Sequence, residues 1–157
     1  MNKSKLMLKL SLTSDPKLLC VVRAAVGETA VTLGFPEAEV RSVVLAVDEA
    51  LANVIRHAYN GSHDRPIQIA FYRGQTKAEA GTRREALMIQ IVDRGVPVEP
   101  ERLVGRALDD IRPGGLGLHF IREIMDSVTF RHIGGRNYLR LIKSVTPAKP
   151  SGTEQES

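Results

Sequence analysis

The stretch "VDEALANVIRHAY", Val47 to Tyr59, places Glu49, Asn53 and His57 at successive four-residue steps. On a helix that spacing stacks the three side chains on one face. A carboxylate in such a stripe can position or deprotonate an attacking hydroxyl. One turn later, an amide carbonyl can serve as an oxygen ligand to magnesium, which binds through one or two protein oxygens plus substrate phosphates. A solvated helix face would give the same pattern, although such faces more often carry Lys, Glu and Gln. Here Ala46 and Ala50 share the sector and are expected to leave room for a close approach. His57 has no second His, Cys or acid at metal-ligand spacing and reads as structural support, while Asp48 and Arg56 read as solvated charges.

Two glycine signals lie downstream. Asp93 and Gly95 close "EALMIQIVDRG". An acid followed by glycine at a strand end makes a turn, but a buried carboxylate there is also a good acceptor for an exocyclic amine such as that of adenine. "RPGGLGLHFIREIMD" then sets Gly114, Gly115, Leu116 and Gly117 where a loop becomes a helix. Glycines at a helix start let the backbone approach a phosphate, and the free N–H groups favour anions. A flexible linker has the same composition, and no GK[ST] makes this a P-loop. Arg112 could reach a terminal phosphate or stand in solvent.

These groups need a frame, and the rest of the chain supplies one. At 157 residues, 43% hydrophobic and 25% charged, the sequence fits one ordinary globular domain. It has no apolar run near the ~18 residues of a membrane span and no leader-like segment. The single cysteine, Cys20, rules out an internal disulfide, and its neighbours Leu18, Leu19, Val21 and Val22 predict that it is buried. A cytoplasmic location is expected, with no membrane partner. A net charge of +4 admits an acidic partner. However, the cations are scattered and the aromatics are 4% with no Trp, which argues against direct nucleic-acid binding.

"LMLKLSLT" alternates at Leu6, Leu8, Leu10 and Leu12, as a half-buried strand does. "TSDPKLL" offers Ser14 or Asp15 as the cap of a helix reaching about Thr32, and a second helix runs from Pro36 or Glu37 to about Ala58. On that helix Val40, Val44, Val47, Leu51, Val54 and Ala58 form the apolar sector. "PIQIAFYR" and "EALMIQIVD" alternate as strands around a polar loop, "GQTKAEAGTRR". An irregular link follows, then a helix through Leu116, Phe120, Ile121 and Ile124. "VTFRHI" and "NYLRLIK" close the domain as a hairpin around Gly134 and Gly135. The order predicts an α+β, two-layer α/β sandwich over residues 5–144, its mixed, mostly antiparallel sheet covered by helices on one face, with a disordered tail from Val145 to Ser157.

In order, Glu49-x-x-x-Asn53, Asp93-x-Gly95 and Gly115-x-Gly117 resemble the nucleotide-binding boxes of the GHKL ATPase superfamily. The match is closer to its small anti-sigma-factor serine kinases, over roughly Leu6 to Lys143. The resemblance implies a Bergerat-type ATP-binding fold. It implies Asn53 as Mg²⁺ ligand, Glu49 as general base and Asp93 as adenine acceptor, with Gly95 shaping the pocket. Gly115 and Gly117 match the glycines lining the phosphates, with Arg112, Gly114 and Leu116 beside them, and the link from about Val98 to Gly114 matches the ATP lid. It further implies ATP and Mg²⁺ as cofactors and transfer of the γ-phosphate to a serine of a STAS-domain anti-anti-sigma protein. A sigma factor is the alternating partner, with a homodimer left open. A nucleotide-dependent binding module that sequesters its partner with little kinase activity is the alternative. Two positions depart from the pattern: Pro97 stands where a second glycine is common, and Asn137 replaces the usual Thr that helps bind adenine.

Overall fold

The protein is described by a computed structural model covering residues 2–98 and 116–147. Five strands, β1 (Asn2–Thr13), β2 (Pro66–Lys77), β3 (Arg83–Asp93), β4 (Ser127–Ile133) and β5 (Arg136–Ser144), form one sheet in the order β1-β2-β3-β5-β4. Every ladder is antiparallel. Helices α1 (Leu19–Thr32), α2 (Glu37–Asn53) and α3 (Leu116–Ile124) cover one face, giving the expected two-layer α+β sandwich. Among the described residues no helix is long and apolar enough to cross a membrane.

Local chemistry accounts for the boundaries. Asp15 caps the turn leading into α1 by accepting from the Lys17 N–H at 2.9 Å, and Pro16 follows where its missing N–H costs nothing. The other candidate cap, Ser14, is fully buried and does a different job. Its hydroxyl donates to the Ser62 carbonyl and accepts from the Arg65 N–H, fastening the chain as it enters β2. The β4–β5 turn consists of Gly134 and Gly135 at φ +59° and +72°, the pair of positive values that a two-residue type I′ hairpin requires.

The core lies between the layers. Leu19, Val22, Val26 and Ala30 of α1 and Val43, Ala46, Val47, Ala50 and Leu51 of α2 pack on Ile67, Ile69, Phe71, Leu87, Ile89, Ile91 and Leu141 of the sheet. Ladder register sets Ile69 opposite Ile91 and Ile91 opposite Leu139, so one apolar row crosses three strands. The next row toward the open end of the sheet runs Ile67, Asp93, Asn137, His132. Core packing therefore gives way to polar groups at that end.

Several sequence expectations change here. Cys20 is exposed, because the 19, 22, 26, 30 spacing of α1 turns its neighbour Leu19 inward and Cys20 outward. Ala46 and Ala50 are core residues, 0% and 1% exposed, and do not border an open approach. The apolar sector of α2 is rotated toward Val43, Ala46 and Ala50, with Val40 and Val44 only partly buried. In β1, Leu10 and Leu12 pack against the core, but Leu6 and Leu8 are exposed. A register shift between Leu6 and Leu8 disturbs the alternation there, and Lys3, Lys5 and Lys9 protect the edge strand instead. The polar segment expected as a loop between β2 and β3 is mostly ladder, continuing to Lys77 opposite Arg83. Its side chains are polar because both faces meet water there, not because pairing has stopped. Val145 donates its N–H to the Glu85 carbonyl at 2.8 Å and packs on the core, while the expected tail beyond residue 147 lies outside the described residues.

Candidate functional site

The expected helix to Ala58 is present, but its last part is a π turn, Val54–Ala58, beginning directly after Asn53. The Tyr59 N–H reaches back five residues to the Val54 carbonyl at 2.9 Å. Glu49 and Asn53 sit one turn apart, both half-buried, on the side of α2 that meets α3. Their contact with α3 is Gly117. A Cβ placed there would lie 2.9 Å from Glu49 Oε2, 3.5 Å from Asn53 Nδ2 and 3.7 Å from Asn53 Oδ1. The missing side chain thus leaves a space bounded by a carboxylate and an amide.

Among the described residues Asn53 Oδ1 is buried and has no hydrogen-bond partner. Leaving such an acceptor buried and unmade costs roughly 1–3 kcal/mol, which a ligand to that oxygen would recover. A carbonyl oxygen beside a carboxylate is the donor set a hard divalent cation takes. Among the described residues no cluster of three or more His, Cys, Asp or Glu could hold a metal. A cation at Asn53 would therefore complete its coordination with water and phosphate oxygens, and the fit is to magnesium carried with a nucleotide. Arg56, read from sequence as solvated, has its Nη2 3.9 Å from Glu49 Oε2; its side chain is exposed, that of Glu49 is partly so, and the pair contributes at most about 1 kcal/mol. Asp48 is paired across the helices with Arg23 at 2.8 Å. His57 is exposed.

The second half of the site is built on the polar row of the sheet. Asp93 is 5% exposed, and burial pushes its carboxyl above the ordinary 3.8 despite hydrogen bonds from Gly95 and Asn137 and the nearby His132. The Gly95 N–H donates to Asp93 Oδ1 at 2.8 Å, and Asn137 Nδ2 donates to the same oxygen at 2.7 Å. Both donors fall on Oδ1, which leaves Oδ2 as the oxygen that can accept from a ligand amine. Asn137, 1% exposed, also donates to the carbonyls of Gly95 at 3.1 Å and Val96 at 3.3 Å. Its own Oδ1 lies 2.7 Å from His132 Nδ1.

Gly95 joins the two halves. The Val96 N–H donates to the Ala58 carbonyl at 2.8 Å, and a Cβ on Gly95 would lie 2.2 Å from that same oxygen. Only glycine permits the approach. Beside it Tyr59 accepts from the Arg94 N–H at 2.8 Å and donates to the Pro66 carbonyl, under the Arg65 guanidinium 5.4 Å from its ring centre. A cleft of about 460 Å³ opens here, lined among others by Ala58, Tyr59, Arg65, Arg94 and Gly95.

The structure thus brings Glu49, Asn53 and Gly117 together, and Asp93 with Gly95. Arg112, Gly114 and Gly115 lie outside the described residues, as does the side chain of Leu116. Sequence reasoning missed Tyr59 and His132. The last was within reach: a two-residue Gly-Gly hairpin turn fixes His132 opposite Asn137.

Comparisons with known proteins bear on the family and the fold. Residues 12–143 match the histidine kinase-like ATPase domain family. The serine/threonine-protein kinase BtrW of Bordetella bronchiseptica is 31% identical over 110 residues, covering 68% of this chain and 71% of that protein. The serine-protein kinase RsbW of Listeria innocua is 28% identical over 119 residues, covering 76% and 75%. Among solved structures, the RsbU and RsbW domains of Rv1364c from Mycobacterium tuberculosis superpose with a TM-score of 0.55 at 19% identity, covering 91% of this chain and 34% of that longer one. The boxes, the sandwich that carries them and these matches place the chain in the histidine kinase-like ATPase domain family.

Proposed function

We propose that the chain is an ATP-dependent protein-serine kinase acting as an anti-sigma factor in a partner-switching pair. It transfers the γ-phosphate of ATP to a serine of a STAS-domain anti-anti-sigma protein and holds a sigma factor when that protein is phosphorylated. The observation that carries the reading is the pairing of Glu49 with the buried carbonyl of Asn53, unpartnered among the described residues, across the space left by Gly117. The relatives named serine kinases support it.

In this reading each residue has a bounded task. Asn53 offers Oδ1 to magnesium, whose charge, when it is bound, offsets that of the phosphates. Glu49, one turn earlier and partly open to solvent, accepts the proton of the serine hydroxyl. Asp93 Oδ2 accepts from the exocyclic amine of adenine, and Gly95 holds the Asp93 turn against α2. Gly117, on α3, leaves room beside Glu49 and Asn53 for the phosphates.

The test is incubation with Mg-ATP and purified STAS-domain proteins from the same genome, with serine phosphorylation read by mass spectrometry. Transfer is expected with the intact protein. Glu49→Ala is expected to lose transfer while retaining most ATP affinity by calorimetry. Full transfer by Glu49→Ala would refute the base assignment. ATP binding without transfer to any STAS partner would favour the sequestering module instead.

A further inference from the structure

Asp93 can read a base only if its free oxygen points the same way in every molecule. We infer that Asn137, held by His132, is the positioning residue that fixes this direction and ties base recognition to the chain that leaves β3. The inference rests on the kinase reading, because it concerns how that site selects adenine.

The polar row of the sheet supplies the geometry. Asp93, Asn137 and His132 are direct cross-strand neighbours on β3, β5 and β4. The orientation of the Asn137 amide is unambiguous, because one of its atoms faces three oxygens: Asp93 Oδ1 at 2.7 Å, the Gly95 carbonyl at 3.1 Å and the Val96 carbonyl at 3.3 Å. That atom must be the NH₂ group, with two hydrogens shared among three acceptors. Its other end is then a carbonyl acceptor, so His132 Nδ1, 2.7 Å away, must carry a proton and donate.

Two consequences follow. The donors of Asn137 are committed to the protein, so it does not itself contact the base through them and acts through Asp93. It also grips the first two carbonyls after Arg94, at the root of the segment that leaves β3. A threonine hydroxyl, with a single hydrogen, could serve Asp93 but could not also hold Gly95 and Val96. Asn137 therefore does in this chain more than a hydroxyl at that position can do. His132 contributes less, since flipping the amide would already place its carbonyl against three oxygens.

The experiment measures discrimination between ATP and inosine triphosphate, which lacks the exocyclic amine, by calorimetry with Mg²⁺ on the full chain. Losing a hydrogen bond to a charged group weakens binding by about 10- to 100-fold. Asn137→Ala is therefore expected to lose ATP affinity by about that factor and inosine triphosphate affinity by much less, so that the ratio collapses. Asn137→Thr is expected to restore most of the ratio while making the 93–98 segment more susceptible to hydrogen exchange than in the parent. His132→Ala is expected to lower the ratio by a smaller factor, with recovery in His132→Gln, which keeps an N–H donor. If Asn137→Ala does not fold, the Thr and His132 variants decide the matter. An unchanged ratio in Asn137→Ala, or in both His132→Ala and Asn137→Thr with unchanged exchange at 93–98, overturns the inference while leaving the kinase reading intact. Failure of the unaltered protein to bind ATP overturns both.

Discussion

Two glycines of the site look alike in sequence and differ in physics, and alanine separates them. At Gly117 an added Cβ would meet Glu49 Oε2 at 2.9 Å, the far end of a flexible side chain that is 36% exposed. A shift of about half an ångström relieves the contact, and the backbone there is right-handed helix, which alanine prefers over glycine by up to about 1 kcal/mol. Gly117→Ala should therefore leave stability within about 1 kcal/mol of the parent on the favourable side, a Tm unchanged or raised by roughly 2–4 °C for a chain of this size. The methyl nevertheless occupies the space between Glu49 and Asn53, so Mg-ATP affinity and transfer should fall at least 10-fold. At Gly95 the same methyl would lie 2.2 Å from the Ala58 carbonyl oxygen, 2.5 Å from its carbon and 2.7 Å from its Cβ. None of these atoms is the end of a flexible chain. The Asp93 turn must move away from α2 by about 1 Å, losing the Val96–Ala58 hydrogen bond, and overpacking of this kind costs about 1–3 kcal/mol. Gly95→Ala should lower Tm by several degrees. Thermal melts by circular dichroism, with calorimetry for Mg-ATP, read both. Destabilisation of Gly117→Ala beyond about 1 kcal/mol, or undiminished nucleotide binding by it, would refute the reasoning.

The other predictions concern charge and the orphaned oxygen. Burial raises the carboxyl of Asp93, so its ionised form is disfavoured in the fold, a penalty present above its folded pKa and absent below its unfolded value of 3.8. Asp93→Asn removes that penalty and should melt at or above the parent temperature at pH 7, with the difference shrinking as the pH falls toward 4, while ATP affinity is lost. A lower Tm at pH 7 would show that the two hydrogen bonds to Oδ1 outweigh burial. Asn53→Ala removes an acceptor that has no partner, so its stability cost should stay below about 1 kcal/mol, and its main effect should be loss of the Mg²⁺-dependent part of ATP affinity in titrations with and without the cation.

The sequence made the frame legible because the frame rests on periodicity. Ile67, Ile69 and Phe71, then Leu87, Ile89 and Ile91, alternate since one face of their strands is dry, and all six are core. The glycines of the last turn announced a hairpin because φ is positive at both. Periodicity failed where burial was not the governing condition. Leu6 and Leu8 alternate but lie on an edge strand past the register shift, and "GQTKAEAGTRR" is polar yet mostly paired. Cys20 was judged by its neighbours in sequence when its angular position on α1 decides its exposure. The candidate site was legible as boxes because Glu49 with Asn53 and Asp93 with Gly95 are each close in sequence, while Gly115 of the third box lies outside the described residues. What the sequence hid were contacts between elements: Gly117 against Glu49, Gly95 against Ala58, and Asn137 against Asp93.

The contact of Gly95 with Ala58 falls on the π turn that ends the helix. The last carbonyls of a helix have no partner within it and must find one elsewhere. Here Val54 accepts from the Tyr59 N–H, Ile55 from the Gly61 N–H at 2.7 Å and Ala58 from the Val96 N–H at 2.8 Å. The widened turn thus spends one carbonyl on itself and hands another to the strand end that carries Asp93. Glu49 and Asn53 belong to the same helix, so in the proposed site the adenine side is tied to the phosphate side through the Val96–Ala58 hydrogen bond and the close approach that Gly95 permits. Glycine at 95 is required by packing, and in the proposed site glycine at 117 answers to the space a nucleotide would need. Replacing the first should therefore cost stability, and replacing the second should cost only the activity.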